Sequence, residues 1–246
     1  MTTATIRDPA VLELRRYALH AGARNALIGL FEREFIETQE RCGIAVLGQF
    51  RDLDHADRFV WLRGFTDLAA RPAALEAFYG GPVWRAHRDA ANATMIDSDD
   101  VLVLRAAWAG AGDAMRRRSR AAPGATAAPP GMLLATLLHL REPADAELLA
   151  ACRQVIGPAA AAAGADPLGW YVTESAANNF PRLPVREGEH VVVFFALFDD
   201  RHGGDAFEGA GPGSAGAVLA RRLIRPIERL RLAPTPRSAI HAGAAR

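Results

Sequence analysis

Four polar side chains bracket one long loop in the stretch TESAANNFPRLPVREGEH, residues 173–190: Glu174, Asn178, Asn179 and His190. An imidazole titrates near neutrality, so His190 is suited to general-base work. Glu174, at the other end of the loop, could orient that imidazole or act as the base itself. The amides of Asn178 and Asn179 could donate to a developing oxyanion. Each residue also has a plainer role: an edge histidine bonded to the loop backbone, a solvated glutamate, and asparagines that stabilise turns. Arg15, Arg63 and Arg105 lie in apolar-patterned runs. A buried guanidinium needs a carboxylate or an anionic ligand, and Glu13 is the plainer partner for Arg15. Tyr17, Trp61, Trp84, Trp170 and Tyr171 could stack on a planar substrate or simply fill a core.

Composition narrows the chemistry. The 246 residues contain no lysine, so all 29 basic residues are arginines. Schiff-base catalysis, a lysine-held pyridoxal phosphate and a Walker-type lysine are excluded, because arginine replaces none of them. There is no GxGxxG after a strand, no GxSxG elbow and no paired-cysteine spacing, which disfavours nucleotide cofactors, serine hydrolysis and a transition-metal site. RDLDHAD (51–57) gathers Asp52, Asp54, His55 and Asp57 in one hairpin loop that could hold a divalent ion. HGGD (202–205) reads as a turn, and MRRRSR (115–120) as a solvated run without interleaved aromatics. A net charge of +1 gives no pull toward nucleic acid or membrane. No apolar run approaches a membrane span, and MTTATIRDPA lacks signal-peptide character, so a cytoplasmic location is expected. Cys42 and Cys152 read as small apolar residues on helices.

These side chains must be positioned by elements that the periodicity reveals. VLELRRYAL (11–19) alternates like a half-buried strand, and 23–42 is an amphipathic helix that Gly43 stops. IAVLGQF (44–50) and RFVWLRGF (58–65) read as a strand pair. A helix over about 69–94, interrupted near YGGPVW, and a strand DVLVLRA (100–106) complete a β-α-β-β-α-β unit. After a Gly-, Pro- and Ala-rich linker (109–130), the pattern repeats with strands at 132–140, 169–174 and 190–198 and helices at 145–163 and 214–232. A short last strand is expected within 235–241. WLRGFTDLAAR corresponds to FFALFDDRHG, placing Phe65 on Phe198, and GQF at 48 to GWY at 169. Gly48 to Phe59 takes 11 steps whereas Gly169 to Val192 takes 23, so the second hairpin carries a 12-residue insertion. Long ordered loops in compact domains are often functional.

LELRRYAL, GIAVLGQF, VWLRGFTDLAAR and PVWRAHRDA together resemble the NIPSNAP family, a branch of the dimeric α+β barrel superfamily. The resemblance is strongest before residue 106. It implies an α+β fold of two tandem ferredoxin-like repeats, 1–108 and 131–246, whose sheets meet face to face as a barrel. The superfamily includes cofactor-free monooxygenases, isomerases, heme proteins and members without known chemistry, so the reaction rests on analogy. In strand 58–65 the reading assigns Val60 and Leu62 to a helix-packed core, and Phe59, Trp61, Arg63 and Phe65 to the barrel interior. His190, Val192, Phe194, Ala196 and Phe198 are assigned to that interior too, as are Glu13, Arg15 and Tyr17. The expected function is a cofactor-independent oxygenase, isomerase or lyase that abstracts a proton from a small organic substrate. Its catalytic residues would be His190 and Glu174, and its substrate contacts Asn178, Asn179, Tyr17, Trp61, Arg63, Tyr171 and Phe194, with no metal. The alternatives are a non-catalytic ligand-binding protein, and a heme protein with His190 or His87 as axial ligand. A homodimer is expected from the superfamily, with neither nucleic acid nor membrane as partner.

Overall fold

The computed structural model describes residues 9–115, 118–211 and 213–243. Arg116 and Arg117 of the basic run, and the first eight residues, lie outside them. The first half contains β1 (Val11–Leu19), α1 (Arg24–Leu30) continuing through a π-helical turn (Phe31–Phe35) into α2 (Ile36–Arg41), β2 (Ala45–Asp52), β3 (Arg58–Phe65), α3 (Arg71–Tyr79), α4 (Pro82–Asn92) and β4 (Met95–Ala106). The second half repeats this order. It contains β5 (Met132–Leu140), α5 (Ala146–Ala151), a π-helical turn (Cys152–Ile156), α6 (Gly157–Ala162), β6 (Asp166–Thr173), β7 (His190–Phe198), α7 (Arg201–Ala210), α8 (Gly216–Arg222) and β8 (Glu228–Pro234). Both halves therefore wind their first helix through a π-turn at the same place, which local sequence does not announce.

All eight strands close into one antiparallel barrel in the order β1-β3-β2-β8-β5-β7-β6-β4. Within each half the ladders are long: β1 with β3 runs from Val11↔Phe65 to Ala18↔Arg58, and β5 with β7 from Met132↔Phe198 to Leu140↔His190. The halves join through two short equivalent ladders, β2 with β8 around Arg51↔Ala233 and β4 with β6 around Arg105↔Val172. The interior is apolar and mainly aliphatic, with Leu12, Leu14, Val60, Leu62, Leu102 and Leu104 meeting Leu133, Leu137, Val191, Val193, Leu197 and Leu232, and with Phe50, Tyr171 and Phe195 among them. An eight-stranded barrel has an interior that side chains can fill.

The face assignment made from alternation is reversed. Phe59, Trp61 and Phe65 lie outside the barrel, packed under the first half's helices with Phe31, Phe35 and Phe78. Phe194 and Phe198 lie likewise under the second half's helices. Period-2 alternation says which residues share a face and is silent on which face turns inward. The partners decide it: the helices bring large aromatics that pack on Phe59, Trp61, Phe65, Phe194 and Phe198, while Leu and Val make up most of the barrel interior beside Phe50, Tyr171 and Phe195.

The C-terminal assignment is also corrected. The helix ends at Arg222, and β8 occupies residues 228–234, with Leu230 and Leu232 buried. Leu219, Leu223, Ile227 and Leu230 mimic helical spacing, but Pro226 bars the helix from continuing. Residues 235–241 form no strand. They clamp the first half instead, where Thr235 N–H donates to Gln49 O (2.9 Å) and the Thr235 hydroxyl to Glu32 Oε1 (2.6 Å).

The correspondence of GQF with GWY holds in three dimensions. β2 bulges between Val46 and Gly48, and β6 between Pro167 and Gly169, so both glycines follow an extra inward leucine. A Cβ on Gly48 would lie 2.5 Å from the Phe50 ring, and one on Gly169 would lie 2.9 Å from the Tyr171 ring. Gly48→Ala should therefore cost about 1–3 kcal/mol by overpacking. The urea midpoint checks this; an unchanged midpoint would show that Phe50 has room to give way.

Candidate functional site

β1 and β3 set Glu13, Arg15 and Arg63 on their helix-facing side, and α3 begins with Arg71. All four are buried. Glu13 Oε2 accepts from Arg15 Nη1 (2.6 Å) and Arg63 Nε (2.7 Å), while Oε1 accepts from Arg71 Nε (2.7 Å). Arg63 Nη2 also lies 2.7 Å from Oε2, as an ion-pair contact without hydrogen-bond alignment. Burial opposes the Glu13 charge, but Arg63, Arg15 and Arg71 outweigh it and hold the carboxyl far below the ordinary range. Glu13 is thus a fixed anion and unsuited to accept a substrate proton. Among the described residues no other carboxylate pairs with these three arginines, so the cluster holds two positive charges more than its acid neutralises.

Aromatic and amide groups surround the charges. Arg15 Nε donates to the Tyr17 hydroxyl (3.0 Å), and Arg63 Nη1 donates to the Tyr79 hydroxyl (3.2 Å). The Arg63 guanidinium lies 5.2 Å from the Trp61 ring centre, within cation–π range. Trp61 Nε1 and Arg71 Nη2 are buried without a hydrogen-bond partner among the described residues. Leaving such donors unmade costs about 1–3 kcal/mol each.

The long loop of the second half crosses to this cluster, which explains its length. Glu174 N–H donates to Val103 O (2.8 Å) and Arg186 N–H to Val101 O (2.9 Å), so the loop starts and ends along β4. Its middle reaches over the first half. Arg71 Nη1 donates to Asn178 Oδ1 (3.0 Å) and Asn179 Oδ1 (2.9 Å), and Phe180 is buried among the first half's helix-side aromatics. Beneath it a cavity of about 270 Å³ is walled by Tyr17, Tyr79, Trp84, Met95, Phe180 and Leu183, with Arg15 at its inner end and Asn92, Ser98 and Arg182 at its rim. Arg182 Nη1 donates to Glu76 of α3 (2.7 Å) across the rim.

Of the residues singled out from sequence, Tyr17, Trp61, Arg63, Asn178 and Asn179 come together here. Asn178 Nδ2 donates to Leu183 O (2.8 Å) and Asn179 Nδ2 to Leu68 O (2.6 Å), while both Oδ1 atoms accept from Arg71, so the two amides tie the loop to the first half and each spends one of its two N–H groups. His190 opens β7 opposite Leu140, and among the described residues it makes no side-chain hydrogen bond to Glu174, Asn178 or Asn179. Glu174 Oε1 accepts from Ala176 N (3.0 Å), closing a local turn. Tyr171 sits inside the barrel, where burial pushes its phenol up, and Phe194 stacks on Trp170 at 4.1 Å. Neither borders the cavity. His87 turns from α4 toward the first helix, 3.6 Å from Glu34 and with its ring 6.4 Å from that of Phe35, and does not border the cavity. In the RDLDHAD loop, Asp52 and Asp57 accept backbone N–H groups and Asp54 pairs with Arg231. Arg71 and Tyr79 escaped the sequence reading; the signal for Arg71 was a lone arginine just before an apolar helix, without an acid at i+3 or i+4.

The NIPSNAP family model matches residues 12–109, which include every charged member of the cluster. The first repeat is thus similar to a NIPSNAP domain. A NIPSNAP family protein of unknown function from Agrobacterium tumefaciens str. C58 is 21% identical over 39% of this chain and 86% of its own, with a TM-score of 0.36. The complete chain resembles two further structures. One is a proposed monooxygenase from Fusobacterium nucleatum subsp. nucleatum, with 9% identity, coverage of 98% and 100%, and a TM-score of 0.59. The other is an anthrone oxidase-like protein, with 10% identity, coverage of 97% and 98%, and a TM-score of 0.52. At such identities the likeness is one of fold: two repeats of the same element order that close one barrel inside the chain. No curated protein matches the chain. No helix among the described residues is long and apolar enough to cross a membrane.

Proposed function

We propose that the chain is a small-molecule enzyme whose substrate occupies the cavity between the first repeat's helices and its sheet. One observation carries this reading: the 12-residue insertion of the second repeat leaves its own half and roofs that cavity with Phe180 and Leu183. Loops that cross to a neighbouring module and bury an aromatic over a cavity with a polar inner end fit ligand enclosure better than edge protection. The volume, near the lower end of the roughly 300–1,000 Å³ range of ligand pockets, suits a planar molecule of a few rings.

The reaction favoured is oxygenation of an activated C–H by way of proton loss, without a resident cofactor. The anthrone oxidase-like neighbour suggests the first compound to try. For a ketone of that kind, the ring CH₂ and O₂ become C=O and H₂O, so dioxygen is the sole oxidant and the substrate supplies all four electrons. Oxygen uptake with anthrone and related enolisable aromatic ketones should exceed the spontaneous rate. Arg15→Met should lower kcat/KM by roughly 10²–10³, the cost of losing one preorganised donor. An absence of uptake, isomerisation and elimination across such a panel would leave the non-catalytic ligand-binding reading ahead.

A further inference from the structure

The polar groups at the inner end of the cavity are all donors with unused protons. The Tyr17 hydroxyl accepts from Arg15, and the Tyr79 hydroxyl accepts from Arg63. Among the described residues neither phenol has an acceptor for its own proton. Arg15 spends Nε on Tyr17 and Nη1 on Glu13, and its Nη2 makes no hydrogen bond among the described residues. Three donors thus meet one small cavity, backed by the two excess positive charges of the cluster. The lining contains neither a carboxylate nor a histidine.

A site built of donors, and lacking a base, recognises an acceptor that carries charge. We propose that Arg15 Nη2, the Tyr17 hydroxyl and the Tyr79 hydroxyl form an oxyanion site, and that the ligand is a planar phenolate or enolate whose oxygen they hold. This inference rests on the cavity reading above and adds the charge state of the substrate. It also dispenses with a protein base: an enol bound here ionises to water because the anion is bound more tightly than the neutral form. Burial pushes the Tyr17 phenol up, so that group stays a donor at neutral pH.

The second repeat supplies an internal control. The strand registers place Leu134, Thr136, Leu138, Phe194 and Ala196 where Glu13, Arg15, Tyr17, Trp61 and Arg63 stand, and Gly204 follows Phe198 by the six residues that separate Arg71 from Phe65. Charges and phenols are both gone, so one anion is expected per chain.

The test uses 4-nitrophenol, whose ionisation is read from its absorbance, with 4-nitroanisole as a neutral analogue of the same shape. The full-length protein should bind one 4-nitrophenol per chain and lower its apparent pKa by at least about one unit, a tenfold preference for the anion. Tyr79→Phe and Arg15→Met should each lose most of that shift while keeping 4-nitroanisole affinity, and Tyr79→Phe, which breaks no ion pair, should also keep the melting temperature. Equal affinity for the two probes, or an unshifted pKa, overturns the oxyanion site and leaves the cavity reading standing. If neither probe binds at millimolar concentration, the cavity reading falls and the oxyanion site with it. A shift that survives both substitutions overturns the assignment to these donors.

Discussion

Glu13→Gln should destabilise the protein by about 3–5 kcal/mol, because it leaves three buried guanidinium groups around a neutral amide. That is a large share of the roughly 5–15 kcal/mol that holds a domain together. The carboxylate anchors β1 to β3 and to the first turn of α3 simultaneously, so its loss is felt across the whole helix layer. Urea unfolding measures the loss, and added 4-nitrophenolate or benzoate should recover part of it if an external anion can offset the excess charge. A loss below about 1 kcal/mol would mean that water reaches the cluster and screens it.

The second large effect concerns the barrel. Residues 1–108 expressed alone should not form a folded monomer. Leu12, Leu14, Phe50, Val60, Leu62, Leu102 and Leu104 have their cover in the other half, and an exposed apolar sheet face of that extent is an association surface. β2 and β4 also lose β8 and β6 and become open edges. The fragment should be recovered as a dimer that rebuilds eight strands from two copies, or as an unfolded chain. Light scattering with circular dichroism distinguishes these, and a folded monomer would refute the dependence of one half on the other.

Much of this architecture is written in local patterns. The alternation in VLELRRYAL and RFVWLRGF, the helix stop at Gly43 and the doubled GQF and GWY bulges are decided by residues close in sequence, and each is visible there. The inward face of the strands is decided by packing partners across helices and barrel, which no single strand records. β8 was hidden because leucines at 230 and 232 continue an apolar spacing begun at Leu219. The candidate site was half legible for the same reason: Tyr17, Trp61, Arg63 and the two asparagines declared themselves by type, whereas Arg71 and Tyr79 acquire meaning only once α3 packs against Glu13 and Arg63. His190 drew notice through its position after the loop, yet the loop carries its aromatic payload away from that end and onto the other half.

Two copies of one gene product must share every residue, so in a symmetric pair a substitution that improves a roof in one subunit also alters the floor of the other. Fusing both halves of a barrel into a single reading frame removes that coupling. One half can then keep its arginines while the other carries threonine, alanine and glycine at the matching positions and a longer hairpin that reaches over the first half. If the cavity holds a ligand, the cost is a halved number of sites per barrel and the gain a division of labour, with floor and roof encoded in separate stretches of sequence that can be retuned independently.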